Sequence, residues 1–402
     1  MSRTATKTLA ILIQTHFHGG QHGVPAMLLS DPGEGKTEII GQMVQALKDG
    51  IFKTLNKDFK LGYKQFCATQ HLPEDVGGIA VPDYEKGEVN MLPLSFVKSL
   101  SELKYGVLFV DELLSASLDV GAALQSVVSD HRFGPHRLAP GIAIVLASNP
   151  VESGTNSRPM SAAEASRVVH IPWSLDFDDF CDHMEDGKGA VRDLPIVQPD
   201  WKDMYYRRVW GLVKTYLRSS SRGVDGAPAS FRNLPEPHEH HKAWPNPRTW
   251  KLCTLGLAAA WSAGYDPITD VGAMIADGLL GKAVGKELRV FIQKMDLPDP
   301  EEVLRDPDSY DAPLRPDRLM VFLDSVASVA TQANHPNFKE RWETAAHKII
   351  GPVLATKEDC ALSAASLLFK NVPPGAKFPT ELKALHIARK NAGLVETRAF
   401  GG

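Results

Sequence analysis

The sequence predicts an α/β fold: a parallel five-stranded sheet as the middle of three layers, followed by a largely helical half. Three observations carry that expectation. Short apolar runs alternate with helix-spaced segments from about residue 5 to residue 175, a glycine-containing turn joins the first run to the first amphipathic segment, and the alternation stops after Trp173. A chain of 402 residues is long enough for about two or three domains and a sizeable core.

Five runs, residues 25–29, 64–69, 107–110, 142–147 and 168–171, have the length and apolar character of buried parallel strands. Between the first two, residues 37–47 place Ile39, Ile40, Met43, Val44 and Leu47 at i, i+3, i+4 spacing, an amphipathic helix. Beyond Trp173, residues 201–218 read as a helix with Trp201, Tyr205, Val209, Leu212, Val213 and Tyr216 along one face. Residues 219–247 hold too many Ser, Gly, Pro and His for regular structure and read as a long loop. Helical patterns resume at 249–263, 271–280 and 282–294, a small helical lid, and after a Pro and Asp cluster at 297–316 continue at 317–332, 338–350 and 361–369. The chain therefore divides into an α/β domain over 1–175, a linker helix and Pro/His-rich loop over 176–245, a lid over 246–300 and a C-terminal helical extension over 301–402.

Composition sets the outer limits. Hydrophobic residues at 43% and charged residues at 23% exclude wholesale disorder and a fibrous repeat. The formal charge of −4 gives no bulk attraction to nucleic acid or an anionic membrane. Cys67, Cys181, Cys253 and Cys360 are scattered without C-x-x-C spacing, which points to small buried hydrophobes in a reducing compartment, not a disulfide framework or zinc knuckle. No run reaches the ~18 apolar residues a membrane span needs, and the opening segment carries only a short apolar stretch at 9–13. The expectation is a cytoplasmic protein with no membrane partner.

The chemistry concentrates at one junction. Ser30-Asp31-Pro32-Gly33-Glu34-Gly35-Lys36-Thr37 follows a predicted strand and opens a predicted helix, the context of a phosphate-binding loop, with Glu38 in the first turn beyond it. Gly33 and Gly35 allow the backbone to turn its amides onto phosphates; Lys36 reaches the β and γ phosphates, and Thr37 offers a hydroxyl to Mg²⁺. The usual first glycine of such a loop is Ser30 here, a small residue that the turn tolerates. Val107-Leu108-Phe109-Val110-Asp111-Glu112 then sets two acids at the carboxyl end of an apolar strand, where open α/β sheets bind ligands. Asp111 would hold Mg²⁺ through water, and Glu112 would orient or deprotonate the water that attacks the γ phosphate. Ser148-Asn149-Pro150 ends the next strand and brings the Asn149 amide to the same edge.

These Walker A, Walker B and Asn149 elements resemble those of an AAA+ ATPase, and the surrounding text is similar to the MoxR branch. The likeness covers roughly residues 20 to 265. It includes Gln70-His71-Leu72-Pro73-Glu74-Asp75-Val76-Gly77-Gly78 after the second strand, the Gly154-Thr155 segment, and residues 132–141, which resemble the family's hairpin before sensor 1. The resemblance implies a three-layer P-loop AAA+ nucleotide domain that binds ATP and Mg²⁺ and works in a ring, with a hexamer favoured. It places Arg167 at the arginine-finger position acting on a neighbour's nucleotide, with Arg158 competing for that role, and Arg248 in Trp244-Pro245-Asn246-Pro247-Arg248-Thr249-Trp250 at sensor 2. A guanidinium set against developing phosphate charge lowers the barrier, and one on a mobile lid couples ATP to closure. The implied partners are a protein with a von Willebrand factor A domain and a protein client to be remodelled. Two other readings stay open: a nucleic-acid motor or loader, favoured only by the basic aromatic run of Lys202, Arg207, Arg208, Lys214, Arg218 and Arg222 with Tyr205, Tyr206 and Trp210, and a nucleotide-gated scaffold with little turnover. His238, His240 and His241, like His16, His18 and His22, lack further ligands at metal spacing and read as polar loops.

Overall fold

The computed structural model describes residues 2–17, 22–54, 61–153, 156–187, 189–220, 228–295, 297–312, 315–333 and 335–391. They form two compact units, one of Met1–Asp200 with Ser221–Arg289, the other of Trp201–Ser220 with Val290–Gly402.

The first unit begins with helix α1 (Ser2–Gln14), strand β1 (Ala26–Leu29), helix α2 (Lys36–Thr54) and strand β2 (Leu61–Cys67). Short helix α3 (Pro73–Gly77), an antiparallel hairpin of β3 (Ile79–Asp83) and β4 (Glu88–Leu92), and helix α4 (Ser95–Ser101) lead into β5 (Tyr105–Asp111) and helix α5 (Leu118–Asp130). A second hairpin, β6 (Arg132–Phe133) with β7 (His136–Arg137), precedes β8 (Gly141–Ser148), α6 (Ala162–Ala165), β9 (Val169–Pro172) and α7 (Phe177–Asp186). Five strands make one parallel sheet in the order β2-β5-β8-β1-β9. Its central strands are the long apolar runs: β8 is buried along its whole length and Gly106 to Val110 of β5 likewise, as a sheet covered on both faces requires.

Leu29 pairs with Ser148 and Cys67 with Asp111, so the carboxyl ends of β1, β2, β5 and β8 share one edge. Beneath one face, Val97 and Leu100 of α4 and Val120, Leu124 and Val127 of α5 pack on Phe66, Leu108, Val110, Ile144 and Leu146. On α1, which contacts β8 and β9, even Thr6, Thr8 and Gln14 are buried. Gln14 satisfies its amide there by donating to the Ala10 and Pro195 carbonyls at 3.0 and 2.7 Å and accepting from Val197 N at 3.0 Å.

The same unit resumes with α9 (Pro247–Ser262), α10 (Asp270–Leu280) and the start of α11 (Lys282–Met295). In the second unit, a π-helical turn over Lys202–Tyr206 runs into α8 (Arg207–Ser219), followed later by α12 (Pro300–Arg305), α13 (Pro316–Ala330), α14 (Phe338–Thr344), a π-helical turn over Ala345–Ile350, α15 (Gly351–Thr356), α16 (Glu358–Lys370) and α17 (Thr380–Asn391). Its core gathers Phe322, Leu323, Val326, Trp342, Ile349, Ala364, Leu368 and Leu382. On α8 the basic run is partly committed inside this unit, since Lys214 pairs with Asp324 at 2.8 Å, whereas Trp210 stays exposed.

The architecture is the one the alternation of runs predicts, but several elements were not legible. The second strand starts at Leu61 and ends at Cys67, not 64–69, because it pairs only with β5 and its residues are mostly half-buried. Residues 68–70 form a 3₁₀ turn. Helices α1, α5, α7 and α17 and the β3–β4 hairpin had no assigned element.

Candidate functional site

The site is built from the loop between β1 and α2. Ser30 is buried at the end of β1, and its N–H continues the sheet pairing to the Ser148 carbonyl at 3.4 Å. Gly33 and Gly35 adopt φ of 85° and 70°, left-handed conformations that favour glycine, while a Cβ at either would meet nothing within 4 Å. The constraint is therefore the backbone itself, and the space before both residues is open. Pro32 and Asp31 are exposed, and Asp31 accepts a short hydrogen bond from the Ser153 hydroxyl.

Lys36, half-buried in the first turn of α2, is held by four acceptors for its three hydrogens: Asn149 Oδ1 at 2.7 Å, Ser30 Oγ at 2.8 Å, Ser30 O at 3.0 Å and Asp31 O at 3.1 Å. Burial draws its pKa below the ordinary lysine value, opposed by the charges of Asp111, Glu34 and Asp31. Beside it, Thr37 donates to Asp111 Oδ2 at 2.9 Å. The other Asp111 oxygen accepts the Glu112 N–H at 3.0 Å, and Gln65 of β2 approaches Oδ2 at 3.5 Å. Glu112 sits in the left-handed region at φ 55°, and its Oε2 accepts from Thr69 Oγ1 at 2.6 Å and from Cys67 Sγ at 3.5 Å.

Glu34 ties this loop to the fifth strand's exit: its carbonyl accepts from the Trp173 indole at 2.8 Å and its carboxylate from the Leu175 N–H at 2.6 Å. Glu38 faces α7, with His183 Nε2 3.1 Å away and Gln42 donating at 3.3 Å. The structure thus gathers Lys36, Thr37, Asp111, Glu112 and Asn149 at one edge. Sequence reasoning did not find Thr69, Gln65, Trp173, Leu175 or Ser153, which meet the site only through strand register and chain return. Oxygen donors from Thr37 and Asp111 converging at 2.9 Å fit a hard divalent cation such as Mg²⁺ that keeps waters and phosphate oxygens as its other ligands. Among the described residues no group of three or more His, Cys, Asp and Glu side chains is placed to hold a metal; His18 lies outside them.

The three arginines stand elsewhere. Arg158 is mostly buried and makes a two-pronged contact with Glu164, Nη2 to Oε1 at 2.7 Å and Nη1 to Oε2 at 2.9 Å. Burial pushes the Glu164 carboxyl up, but Arg158 and the Ser161 N–H and hydroxyl outweigh it and hold the group below the usual range. Arg167 donates Nε to Ser129 Oγ and Nη1 to the Ala163 carbonyl, both at 2.5 Å. Arg248 donates Nη1 to Ser166 Oγ at 3.2 Å, from a helix start fixed by Asn246, which caps α9 and exchanges bonds with Thr249, and by Pro247 in its first turn. Burial lowers the Arg167 pKa and the neighbouring Arg248 charge lowers it further. Among the described residues neither Arg167 nor Arg248 makes an ion pair or bonds to the phosphate loop. Gly154-Thr155 and Arg222 lie outside the described residues.

No family model matches the chain, and no curated protein matches it. Among solved structures it is similar to a chain named as a "putative ATPase" from Cytophaga hutchinsonii, at 17% sequence identity and a TM-score of 0.41, with 72% of this chain and 88% of that chain covered. No helix among the described residues is long and apolar enough to cross a membrane.

Proposed function

We propose that this chain is a magnesium-dependent ATP hydrolase of the AAA+ class, MoxR-like, which works as an oligomeric ring and remodels a protein client. One observation carries the reading: Lys36, Thr37, Asp111 and Asn149 form a single hydrogen-bonded set at the carboxyl edge of the parallel sheet, beside two glycines with left-handed backbone. An ammonium with four protein acceptors can exchange some of them for phosphate oxygens without being desolvated anew. Mg²⁺, held from Thr37 and Asp111, supplies charge neutralisation of the phosphates. Glu112, held by Thr69, positions the attacking water and takes its proton, and Asn149 orients both Lys36 and that water.

Arg167 and Arg248 complete the reading from outside. Their hydrogen bonds go to Ser129, Ala163 and Ser166, neither makes an ion pair among the described residues, and the Arg248 charge opposes that of Arg167 although Asp130 and Glu164 offset part of it, so an arriving anion finds both guanidiniums able to take it. We assign both to the triphosphate of a neighbouring subunit, so each site is shared. A hexameric ring, a von Willebrand factor A domain partner and a cytoplasmic setting follow from the MoxR resemblance.

The test mixes Lys36→Ala subunits with Arg167→Ala subunits, and separately with Arg248→Ala subunits. Sites that pair an intact loop with an intact arginine recover about a quarter of wild-type turnover at equal ratio in a heterologous ring. Phosphate release that stays at the level of the separate variants at every ratio overturns the shared site.

A further inference from the structure

The phosphate loop is steered from the neighbouring strand end. Trp173, the first residue past β9, is 4% exposed, and its main-chain N–H donates to the Leu29 carbonyl at 2.8 Å, so the β1–β9 pairing fixes where the indole stands. Packing alone asks only for a large apolar ring there; the tryptophan adds one polar atom, Nε1, which when buried needs an acceptor. That acceptor is the Glu34 carbonyl at 2.8 Å, in the middle of the loop. Two residues on, the Leu175 N–H donates to the Glu34 carboxylate at 2.6 Å. Backbone and side chain of one loop residue are thus both held by the segment that leaves β9.

The consequence falls on Gly35. Its N–H and the Glu34 carbonyl belong to one trans peptide, whose two polar bonds point in opposite directions. With the carbonyl turned onto a buried indole, the N–H is turned away from the protein body. Gly35 is exposed, and among the described residues its N–H donates to no acceptor. Gly33 and Gly35, at φ 85° and 70°, do not by themselves hold this peptide in one orientation, because glycine takes either sign of φ about equally well. The lock comes from outside the loop.

We propose that Trp173, aided by the Glu34–Leu175 contact, is a positioning residue that keeps the Gly35 N–H directed at the phosphates of the bound nucleotide. Without the indole the Glu34–Gly35 peptide is free to turn over and set a carbonyl oxygen against phosphate oxygens, which repel it. This inference rests on the nucleotide reading above and adds what holds the loop in its binding form.

Trp173→Phe keeps an aromatic ring and removes the N–H. Titration with a fluorescent ATP analogue finds binding weakened by about tenfold or more, the equivalent of one hydrogen bond to a charged group. Phosphate release shows the same rise in KM with kcat within about threefold of wild type, because an amide that holds the phosphates before and during transfer contributes alike to both states. A tryptophan needed only for packing would instead lower the active fraction, so that kcat falls and KM stays. Glu34→Gln and Glu34→Ala repeat the test at a partly exposed position, where no core is disturbed. Both remove the charge, but only glutamine keeps an acceptor for the Leu175 N–H, so the alanine variant binds the analogue about threefold or more weaker than the glutamine variant. The proposal is overturned by Trp173→Phe with KM and affinity within about twofold of wild type, by a fall in kcat alone, or by equal affinities of the two Glu34 variants, which decide the matter should Trp173→Phe not fold. Wild-type protein that takes up no analogue defeats the nucleotide reading itself; wild-type binding with unmoved variants defeats the positioning role alone.

Discussion

Thr69 donates its hydroxyl hydrogen to Glu112 Oε2 at 2.6 Å, so the acid proposed to activate water is tethered by a residue two positions past the end of the neighbouring strand. The tether exists because β2 and β5 pair with Cys67 opposite Asp111. Glu112 itself is held at φ 55°, a conformation that costs a non-glycine residue about 1 kcal/mol or more, and its carboxylate meets Cys67 and Thr69 at the end of β2.

Thr69→Ala removes a charge-assisted hydrogen bond worth about 1.5–3 kcal/mol in the resting site and leaves the carboxylate free to meet the attacking water. Basal phosphate release rises about three- to tenfold, while Glu112→Gln abolishes it with ATP still bound. A Thr69→Ala rate equal to or below wild type shows that the tether positions Glu112 for the reaction and does not restrain it.

Ser30 takes the place of a glycine and accepts from Lys36 through Oγ at 2.8 Å. In Ser30→Gly the ammonium loses one resting partner and keeps Asn149, the Ser30 carbonyl and the Asp31 carbonyl, so phosphate displaces less. Fluorescent-nucleotide titration finds binding tightened by up to about tenfold, the equivalent of one hydrogen bond to a charge. Weaker binding assigns the serine to loop geometry instead.

How far the sequence reached follows from locality. Continuous apolar runs at β5 and β8 and the glycines of the loop are local signals, and the structure has them close to the expected bounds. Lys36 and Asn149 are 113 residues apart yet meet at 2.7 Å because both follow strands of the same sheet, which the alternation already implied. Thr69 was out of reach: its pairing with Glu112 depends on the β2–β5 register, and the run expected at 64–69 put it inside a buried strand, whereas β2 is a half-buried edge strand that ends at Cys67. Helix α1 escaped for the opposite reason, since it is buried on all sides from Thr8 to Gln14 and only Arg3, Thr4 and Lys7 of its first half reach the surface, too short a polar stretch to set its period. Helix α7 was missed because its apolar Phe177, Phe180 and Met184 sit among five acids over Phe177–Asp186, a composition that reads as solvated surface.

Arg158 and Glu164 test the assignment of the arginines. The pair is mostly buried, with side chains 18% and 8% exposed, so removing the guanidinium strands a carboxylate. Arg158→Ala costs about 3–5 kcal/mol by urea unfolding, and the double Arg158→Ala/Glu164→Ala costs less than the single change. Arg167→Ala, whose guanidinium has no ion pair to lose, stays within about 1 kcal/mol of wild type. Equal stability losses for the two single variants leave no basis for separating a structural arginine from a catalytic one.

His131 makes stability depend on pH. It is 1% exposed at the C-terminal cap of α5, faces the Ile142 carbonyl through Nε2 at 3.1 Å, and stacks on His22 at 3.8 Å and His16 at 5.5 Å between ring centres. Burial, reinforced by the His22 charge, pushes its pKa down to about 3 from an ordinary 6.5, against the pull of the Ile142 carbonyl. The folded value lies below the unfolded one, so between about pH 6.5 and 3 the unfolded chain binds more protons and stability falls with acidification; above that window the group contributes no slope. One proton gives about 1.4 kcal/mol per pH unit, or about 2 kcal/mol from pH 6.5 to pH 5. His131→Asn accepts the left-handed backbone and cannot titrate, so urea titrations at pH 7 and pH 5 find it losing about 2 kcal/mol less than wild type across the interval. Identical losses in the two proteins place the proton uptake on other groups. His22 is lowered as well, chiefly by burial, with Asp130 opposing and Arg137 and Lys251 adding to the shift, so 0.5 M salt leaves in place the part of the slope due to burial of the His131 ring.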